Sequence, residues 1–400
     1  MVTDYYLPTL GGVQTVIKAH RESLESAGHE VFVFSPLQDQ SADPAVIRLP
    51  TARGFAPDGY PFAWPLATSA ALLRTQLREL RIDVVHVHTE MFAALAAYRA
   101  ADELGLPVVQ TMHGRIDVYT RSVLPVPTIS TLLLAGLHRR GLGGHGPRVP
   151  GGTTYTATAM ARRMWRLMVA QANRAAEVIV PSAHFADKLR VQGVTRPLTV
   201  LSNGLEQSVL DSIGEPLVRA HAVNEPLRVM WCGRVSPEKR PEVFLDAISS
   251  TAGIEVDMYG DGVSRKTVER RARMLPAGRL RVHGSVPQER VIEGMRRAQV
   301  LVSTSWDFDN QPMVLLEAVA SGLPVIVTDP DLGEALPEGG HIVTPTPNAA
   351  GVALALTRLR DTPGLVEQMS AAAVAYRPHV AQDSHRDALL AVYREALATQ

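Results

Sequence analysis

Cysteine is nearly absent: Cys232 stands alone among 400 residues. A single thiol excludes an intramolecular disulfide framework and a cysteine-built zinc site, and it suits a reducing compartment. Long apolar runs are missing too. The stretches around Leu132–Leu134 and Ala93–Ala97 are short and interrupted, well under the roughly 18 residues of a membrane-spanning helix. No secretory leader is legible, so a cytoplasmic location is expected. Net charge is lacking as well: 40 basic and 40 acidic side chains sum to zero, so no global field draws the chain to nucleic acid. What remains is globular in composition, 46% hydrophobic and 20% charged. The length exceeds one compact core and predicts two domains.

Short apolar runs alternate with helical stretches, the pattern of parallel α/β layers. Val31–Phe34, Val84–Val87, Val108–Thr111 and Val178–Val180 read as strands. Helices are expected over Val13–Ala27, Leu66–Leu80, Phe92–Leu104 and Met160–Ala175, the first and third stopped by Gly28 and Gly105. Met1–Asp4 reads as the tail of a first strand, so either that strand is short or the chain starts upstream. After a polar break the pattern restarts, with strands at Arg228–Trp231, Glu255–Tyr259, Leu280–Val282, Val300–Val302 and Val325–Val327. Helices near Pro241–Ile248, Ser264–Met274, Gln288–Arg297 and Pro312–Ala320 separate them. The expected division is residues 1–205, residues 206–380, and a terminal helix in 381–400 that packs back on the first domain. Ligands of such sheets sit at the carboxyl ends of the strands, so a cleft between the domains would collect loop residues from both.

Four loops carry chemistry. Gly11 and Gly12 follow the first strand and open a helix, a place where backbone can approach an anion. In Trp231-Cys232-Gly233-Arg234-Val235-Ser236-Pro237-Glu238-Lys239, a strand end delivers Arg234 and a tight turn returns Lys239. Two cations there could neutralise a diphosphate leaving group without a metal. In Asp309-Asn310-Gln311-Pro312-Met313-Val314-Leu315-Leu316-Glu317, a helix starting at Pro312 would aim the amides of Met313 and Val314 at an anion. Glu317 could accept from two vicinal ribose hydroxyls, and Asp309 could reach hydroxyls of the sugar. His113, beside Gly114 at a strand end, would lie close to substrate. The bland readings are a plain turn at Gly11–Gly12, solvated charges at Arg234 and Lys239, a Glu317–arginine pair, and a structural His113. Asp329-Pro330-Asp331 reads as a structural loop on the nucleotide side rather than the Asp-x-Asp of a metal-dependent transferase.

Taken together, these residues resemble retaining glycosyltransferase family four, over nearly the whole chain. The glycine pair is Gly11-Gly12, the histidine after a first-domain strand is His113, and the Asn-Gly after the last strand of that domain is Asn203-Gly204. The Arg…Lys pair is Arg234 and Lys239, the Gly-Asp-Gly turn is Gly260-Asp261-Gly262, and the two acidic positions are Asp309 and Glu317. The resemblance implies a GT-B architecture: α/β, two Rossmann-like doubly wound parallel-sheet domains facing a central cleft. It implies transfer of a hexose, mannose or glucose type, from a GDP- or UDP-sugar with retention. No cofactor or metal is implied. His113 would contact the donor sugar while the leaving phosphate helps deprotonate the acceptor. Asp309 departs from the usual glutamate, and Asn310-Gln311-Pro312 departs from a Phe-Gly pair, which leaves the donor sugar open.

The acceptor reading rests on another absence. From Val118 to Ala176 there is no Asp or Glu, while Arg121, Arg139, Arg140, Arg148, Arg162, Arg163, Arg166 and Arg174 all fall there. Pro127–Arg140 is expected to be an amphipathic helix with Ile129, Leu132, Leu133 and Leu137 on one side, followed by a glycine-rich loop over 141–152. Met160, Met164, Leu167 and Met168 recur at core spacing. Arginines beside apolar side chains suit an anionic or lipid acceptor and peripheral contact with the inner membrane face, with Arg115, Arg139 and Arg140 as candidate contacts. The alternatives are a solvated helix face, a soluble natural product or cell-wall glycan as acceptor, a non-hydrolysing sugar-nucleotide epimerase of the same architecture, and a catalytically dead sugar-nucleotide binding module.

Overall fold

A computed structural model of the chain describes residues 1–7, 11–37, 43–52, 56, 61–123, 126–142 and 147–399. The chain divides into two compact units: Met1–Asn203 with His385–Gln400, and Gly204–Ser384.

In the first unit the strands are β1 (Val33–Ser35), β2 (Val46–Arg48), β3 (Val85–Val87), β4 (Val108–Thr111), β5 (Glu177–Val180) and β6 (Leu198–Val200). Its helices are α1 (Gly12–Ser26), α2 (Leu66–Glu79), α3 (Phe92–Leu104), α4 (Ile116–Val123), α5 (Pro127–Gly141), α6 (Ala159–Arg174) and α7 (Ala183–Val191). The pairs β1–β2, β3–β4, β4–β5 and β5–β6 are all parallel. Val2 joins the two groups, bridging Phe34 on one side and Val87 on the other. The expected first strand is therefore one bridging residue long here. Around Val2 the chain order reverses, the topological switch point of a doubly wound sheet.

Sequence accounts for most of these elements. The strands are Val/Ile-rich because both faces of a parallel sheet are buried. Gly105 closes α3 with φ +66, a conformation a side chain would resist. Thr158 starts α6 by accepting from the Ala161 amide at 3.0 Å. Trp165, Phe185, Leu73 and Leu77 fill the core against β3 and β5.

The second unit holds β7 (Leu227–Cys232), β8 (Ile254–Tyr259), β9 (Leu280–Gly284), β10 (Val300–Ser303), β11 (Val325–Val327) and β12 (His341–Val343). Helices α8 (Gln207–Ile213), α9 (Pro241–Ser250), α10 (Arg265–Ala272), α11 (Gln288–Arg297), α12 (Met313–Ala320), α13 (Ala349–Asp361) and α14 (Leu365–Tyr376) accompany them. The sheet is parallel in the order β12-β11-β10-β7-β8-β9, with its switch point between β10 and β7. The last helix, α15 (Arg386–Ala398), belongs to the first unit and packs on β4, β5 and α1. Leu389 and Val392 join Val109, Ile179 and Leu24 in a shared apolar cluster.

The helix of the acidic motif starts one residue later than its proline suggests. Pro312 caps α12 in an extended conformation, ψ 127, and Met313 is the first helical residue. The proline's fixed φ suits either position; its ψ decides the boundary.

Candidate functional site

In the second unit, β7 and β10 end side by side at the switch point, and their loops carry the candidate donor residues. The turn after β7 is shaped by glycines. A Cβ on Gly260 would lie 1.9 Å from the Gly233 carbonyl oxygen, and one on Gly262 would lie 2.5 Å from that of Val235. Gly260 thus serves by letting the loop after β8 lie against the Gly233 turn. Arg234 emerges exposed from that turn. Lys239 ends a 3-10 turn over Pro237–Lys239. Its carbonyl accepts from Thr304 Oγ1 at 2.7 Å, which ties the turn to the end of β10.

Lys239 and Asp309 lie 70 residues apart in sequence yet meet here. Lys239 Nζ donates to both Asp309 carboxylate oxygens at 2.6 Å, and it stands 5.4 Å from the Phe308 ring centre. Asp307-Phe308-Asp309 has the Asp-x-Asp spacing. Asp329 anchors this loop: its Oδ2 accepts from the Asp307 amide at 2.6 Å and its Oδ1 from the Asp331 amide at 3.1 Å. Asp307 itself is left-handed, φ +47. The Asp329 loop is structural in this sense, and its hold on the segment before Asp309 has no signal in the sequence.

Asn310, Gln311 and Met313 are buried at the entrance to α12, ahead of Val314. Glu317 is buried on the same helix, where its Oε1 accepts from Gln288 Nε2 at 2.9 Å. Its partner is an amide rather than an arginine. Burial raises its pKa, and the nearby Glu206 charge adds to the rise. Cys232 sits in the same environment, its thiol pushed up to about 12 mainly by burial, and is inert.

In the first unit the candidate residues lie on separate loops, Gly11 before α1, His113 after β4 and Asn203 after β6. Gly11 precedes α1, its carbonyl accepting from the Thr15 amide and hydroxyl, both at 3.1 Å. Gly12 is the exposed first residue of the helix, and the Pro8–Leu10 part of this loop lies outside the described residues. His113 follows β4, with Nε2 3.1 Å from His88 Nδ1 and its ring stacked on that of His88. Burial lowers its pKa to about 4, so it is neutral at physiological pH. Asn203 is buried at the end of the unit. Sequence reasoning missed the companions of His113: His20, His86 and His88 form one buried cluster. The His86-x-His88 spacing at a strand end was the available signal.

Two acceptor expectations need correction. Arg115 is not a surface cation. It is buried, pairs with Asp117 through bonds of 2.8 and 3.2 Å, and lies 5.4 Å from the Tyr155 ring centre. Leu137 is half-buried against the core rather than outward. The rest of α5 is amphipathic in the opposite sense to a solvated helix. Thr131, Leu134 and His138 face inward, while Ile129, Leu132 and Leu133 are 57, 53 and 67% exposed. Arg139 and Arg140 are exposed at its end. A cavity of about 290 Å³ between α5 and α6 brings Leu132 and Arg139 together with Arg163 and Arg166. Residues 143–146 of the expected glycine-rich loop and the Arg121 side chain lie outside the described residues.

Two parallel doubly wound units, the second with polar residues collected at its switch point, make the GT-B architecture. The chain belongs to glycosyltransferase family 4: residues 10–208 match the model of Glycosyltransferase Family 4 and residues 226–362 that of Glycosyl transferases group 1. Among its relatives is the alpha-monoglucosyldiacylglycerol synthase of Acholeplasma laidlawii, 23% identical over 84% of this chain and 82% of the relative. The D-inositol 3-phosphate glycosyltransferase of Acidothermus cellulolyticus is 26% identical over 97% and 86%. The crystal structure of Anabaena Alr3699/HepE in complex with UDP shares the fold, with TM-score 0.69, 16% identity, and coverage of 100% of this chain and 99% of that one. No helix among the described residues is long and apolar enough to cross a membrane.

Proposed function

We propose that this glycosyltransferase moves a glucose- or mannose-type hexose from a UDP- or GDP-sugar to a lipid or other anionic acceptor, with retention and without a metal. The observation that carries the donor half is the Lys239–Asp309 pair at the β7/β10 switch point, with Glu317 buried about one turn into α12. In this reading Glu317 accepts from the ribose hydroxyls. The amides at the start of α12 face the diphosphate, assisted by Arg234. Lys239 leaves Asp309 for the departing phosphate, and Asp309 turns to the sugar hydroxyls. The bond from the anomeric carbon to the phosphate oxygen breaks, the acceptor oxygen bonds on the same face, and its proton passes to the departing phosphate. Preorganised cations supply the charge stabilisation a metal would otherwise give. Neutral His113, with Gly11, Gly12 and Asn203 on the same unit, contacts the donor sugar or its phosphate.

The exposed leucines and arginines of α5 support a lipid-facing first unit. The name of the Acholeplasma relative, a glucosyldiacylglycerol synthase, agrees with a lipid acceptor. The site of action is then the cytoplasmic face of the membrane, by peripheral attachment. The test is incubation with labelled UDP-glucose and GDP-mannose, in excess EDTA, with vesicles containing diacylglycerol or phosphatidylinositol. One donor is expected to label lipid with the α-anomer. Failure of both donors to release nucleotide refutes the donor assignment, and turnover lost in EDTA but restored by manganese refutes the metal-free mechanism.

A further inference from the structure

We propose that His20, His86 and His88 form a binding site for a divalent transition-metal ion of the zinc type, which clamps α1 to the end of β3. His86 and His88 are two apart, so both project from the same face of the strand and its extension. His20 comes from the buried face of α1, beside Ile17 and Leu24. Ring centres lie 5.8 Å apart for His20–His86, 5.6 Å for His20–His88 and 4.0 Å for His86–His88. One nitrogen from each ring falls within 4.8 Å of the others.

The hydrogen bonds point the same way. His20 Nδ1 and His88 Nε2 are buried with no hydrogen-bond partner. Two orphaned imidazole nitrogens in one buried cluster are costly unless something binds them. The outer contacts are those of ligating histidines, whose second nitrogen is usually held by a neighbour. His88 is held at Nδ1 by His113, 3.1 Å away. His86 has Thr111 Oγ1 and Tyr393 Oη at 2.7 Å on its two nitrogens. One of these gives way to the ion and the other remains as the orienting bond. A neutral imidazole offers a metal ion one lone pair, and three rings offer three. Three imidazoles select zinc, cobalt, nickel or copper over magnesium or calcium. Zinc–nitrogen bonds of about 2.0–2.1 Å require the rings to close by roughly 1 Å, and a fourth position remains for water.

The ion takes no part in sugar transfer, so turnover in EDTA is not its readout. The experiment uses tag-free protein stripped with chelator, then dialysed against zinc and assayed for bound metal and thermal stability. Cobalt is added separately for its visible spectrum. Retention of one zinc per chain, a raised melting temperature and the intense visible bands of low-coordinate cobalt are expected. His20→Leu, which places an apolar side chain on an apolar helix face, should weaken zinc at least tenfold and abolish the thermal gain. A parent that retains no zinc above background overturns the site, as does a His20→Leu variant that retains as much as the parent. The cobalt spectrum of the parent judges the ligand set even if the variant fails to fold.

Discussion

Lys239 and Asp309 neutralise each other through two bonds of 2.6 Å. On the proposed mechanism, replacing Lys239 by alanine removes the cation for the leaving phosphate and leaves the partly buried Asp309 carboxylate without its ammonium. A loss of about 10²–10³ in kcat/KM is expected, the scale of one lost preorganised donor. Activity within threefold of the parent would remove Lys239 from the chemistry. On the proposed division of the donor between the two acids, calorimetry with UDP and GDP should show Glu317→Gln weakening nucleotide binding, while Asp309→Asn slows transfer and leaves nucleotide affinity nearly unchanged. Equal losses contradict the division. The proposed ribose contact also predicts a pH limb. Burial raises the Glu317 pKa above the ordinary 4.5, and in that contact only the carboxylate accepts from both hydroxyls. As pH falls, nucleotide affinity should therefore begin to drop before an ordinary carboxyl would protonate. The sign for stability is opposite: the folded state takes up this proton more readily than the unfolded one, so protonating Glu317 favours folding. A Glu317→Gln variant whose nucleotide affinity keeps the same acid limb would place that limb elsewhere.

Among the elements, α5 turns large apolar side chains to solvent. Its inward side holds Thr131, Leu134 and His138, and its outward side holds Ile129, Leu132 and Leu133. Arginines near an anionic bilayer contribute about 1 kcal/mol each, within a Debye length. Sedimentation with vesicles should show binding that needs anionic lipid and weakens with salt. Arg139→Glu with Arg140→Glu should abolish it, and Leu132→Ser with Leu133→Ser should remove a salt-resistant remainder. Protein that stays in the supernatant at every salt concentration rules out the lipid-facing role and leaves a soluble anionic acceptor. The sequence made α5 legible through its leucine spacing, and β4, β7 and β10 through their valines. It hid β2, β6 and β12, each three residues long and only partly buried, too short for alternation to register. Arg115 misled because nothing in Arg115-Ile116-Asp117 says the pair turns inward. The meetings of Lys239 with Asp309 and of His20 with His88 were hidden because tertiary folding alone brings such distant residues together.

At the scale of the molecule, the second unit is inserted in the first: the chain leaves at Asn203 and returns at His385. Removing Arg386–Ala398 would uncover Val109, Ile179 and Leu24 and take away the Tyr393 hydroxyl bonded to His86. Losing the buried Leu389 and Val392 and the partly buried Tyr393 should cost about 5 kcal/mol or more, roughly ten degrees of melting temperature. Calorimetry of the truncated chain should show that loss in the first unit's transition, with the second unit's unchanged; an unaltered first transition would mean α15 contributes little. The same topology imposes an order on biosynthesis. Residues up to 203 emerge from the ribosome first, yet the sheet they build lacks one of its covering layers until the chain has been made through residue 398. Throughout synthesis of the inserted unit, the flank of β4 and β5 is an unfinished surface open to chaperones, and the earliest-made half of the enzyme is the last to close.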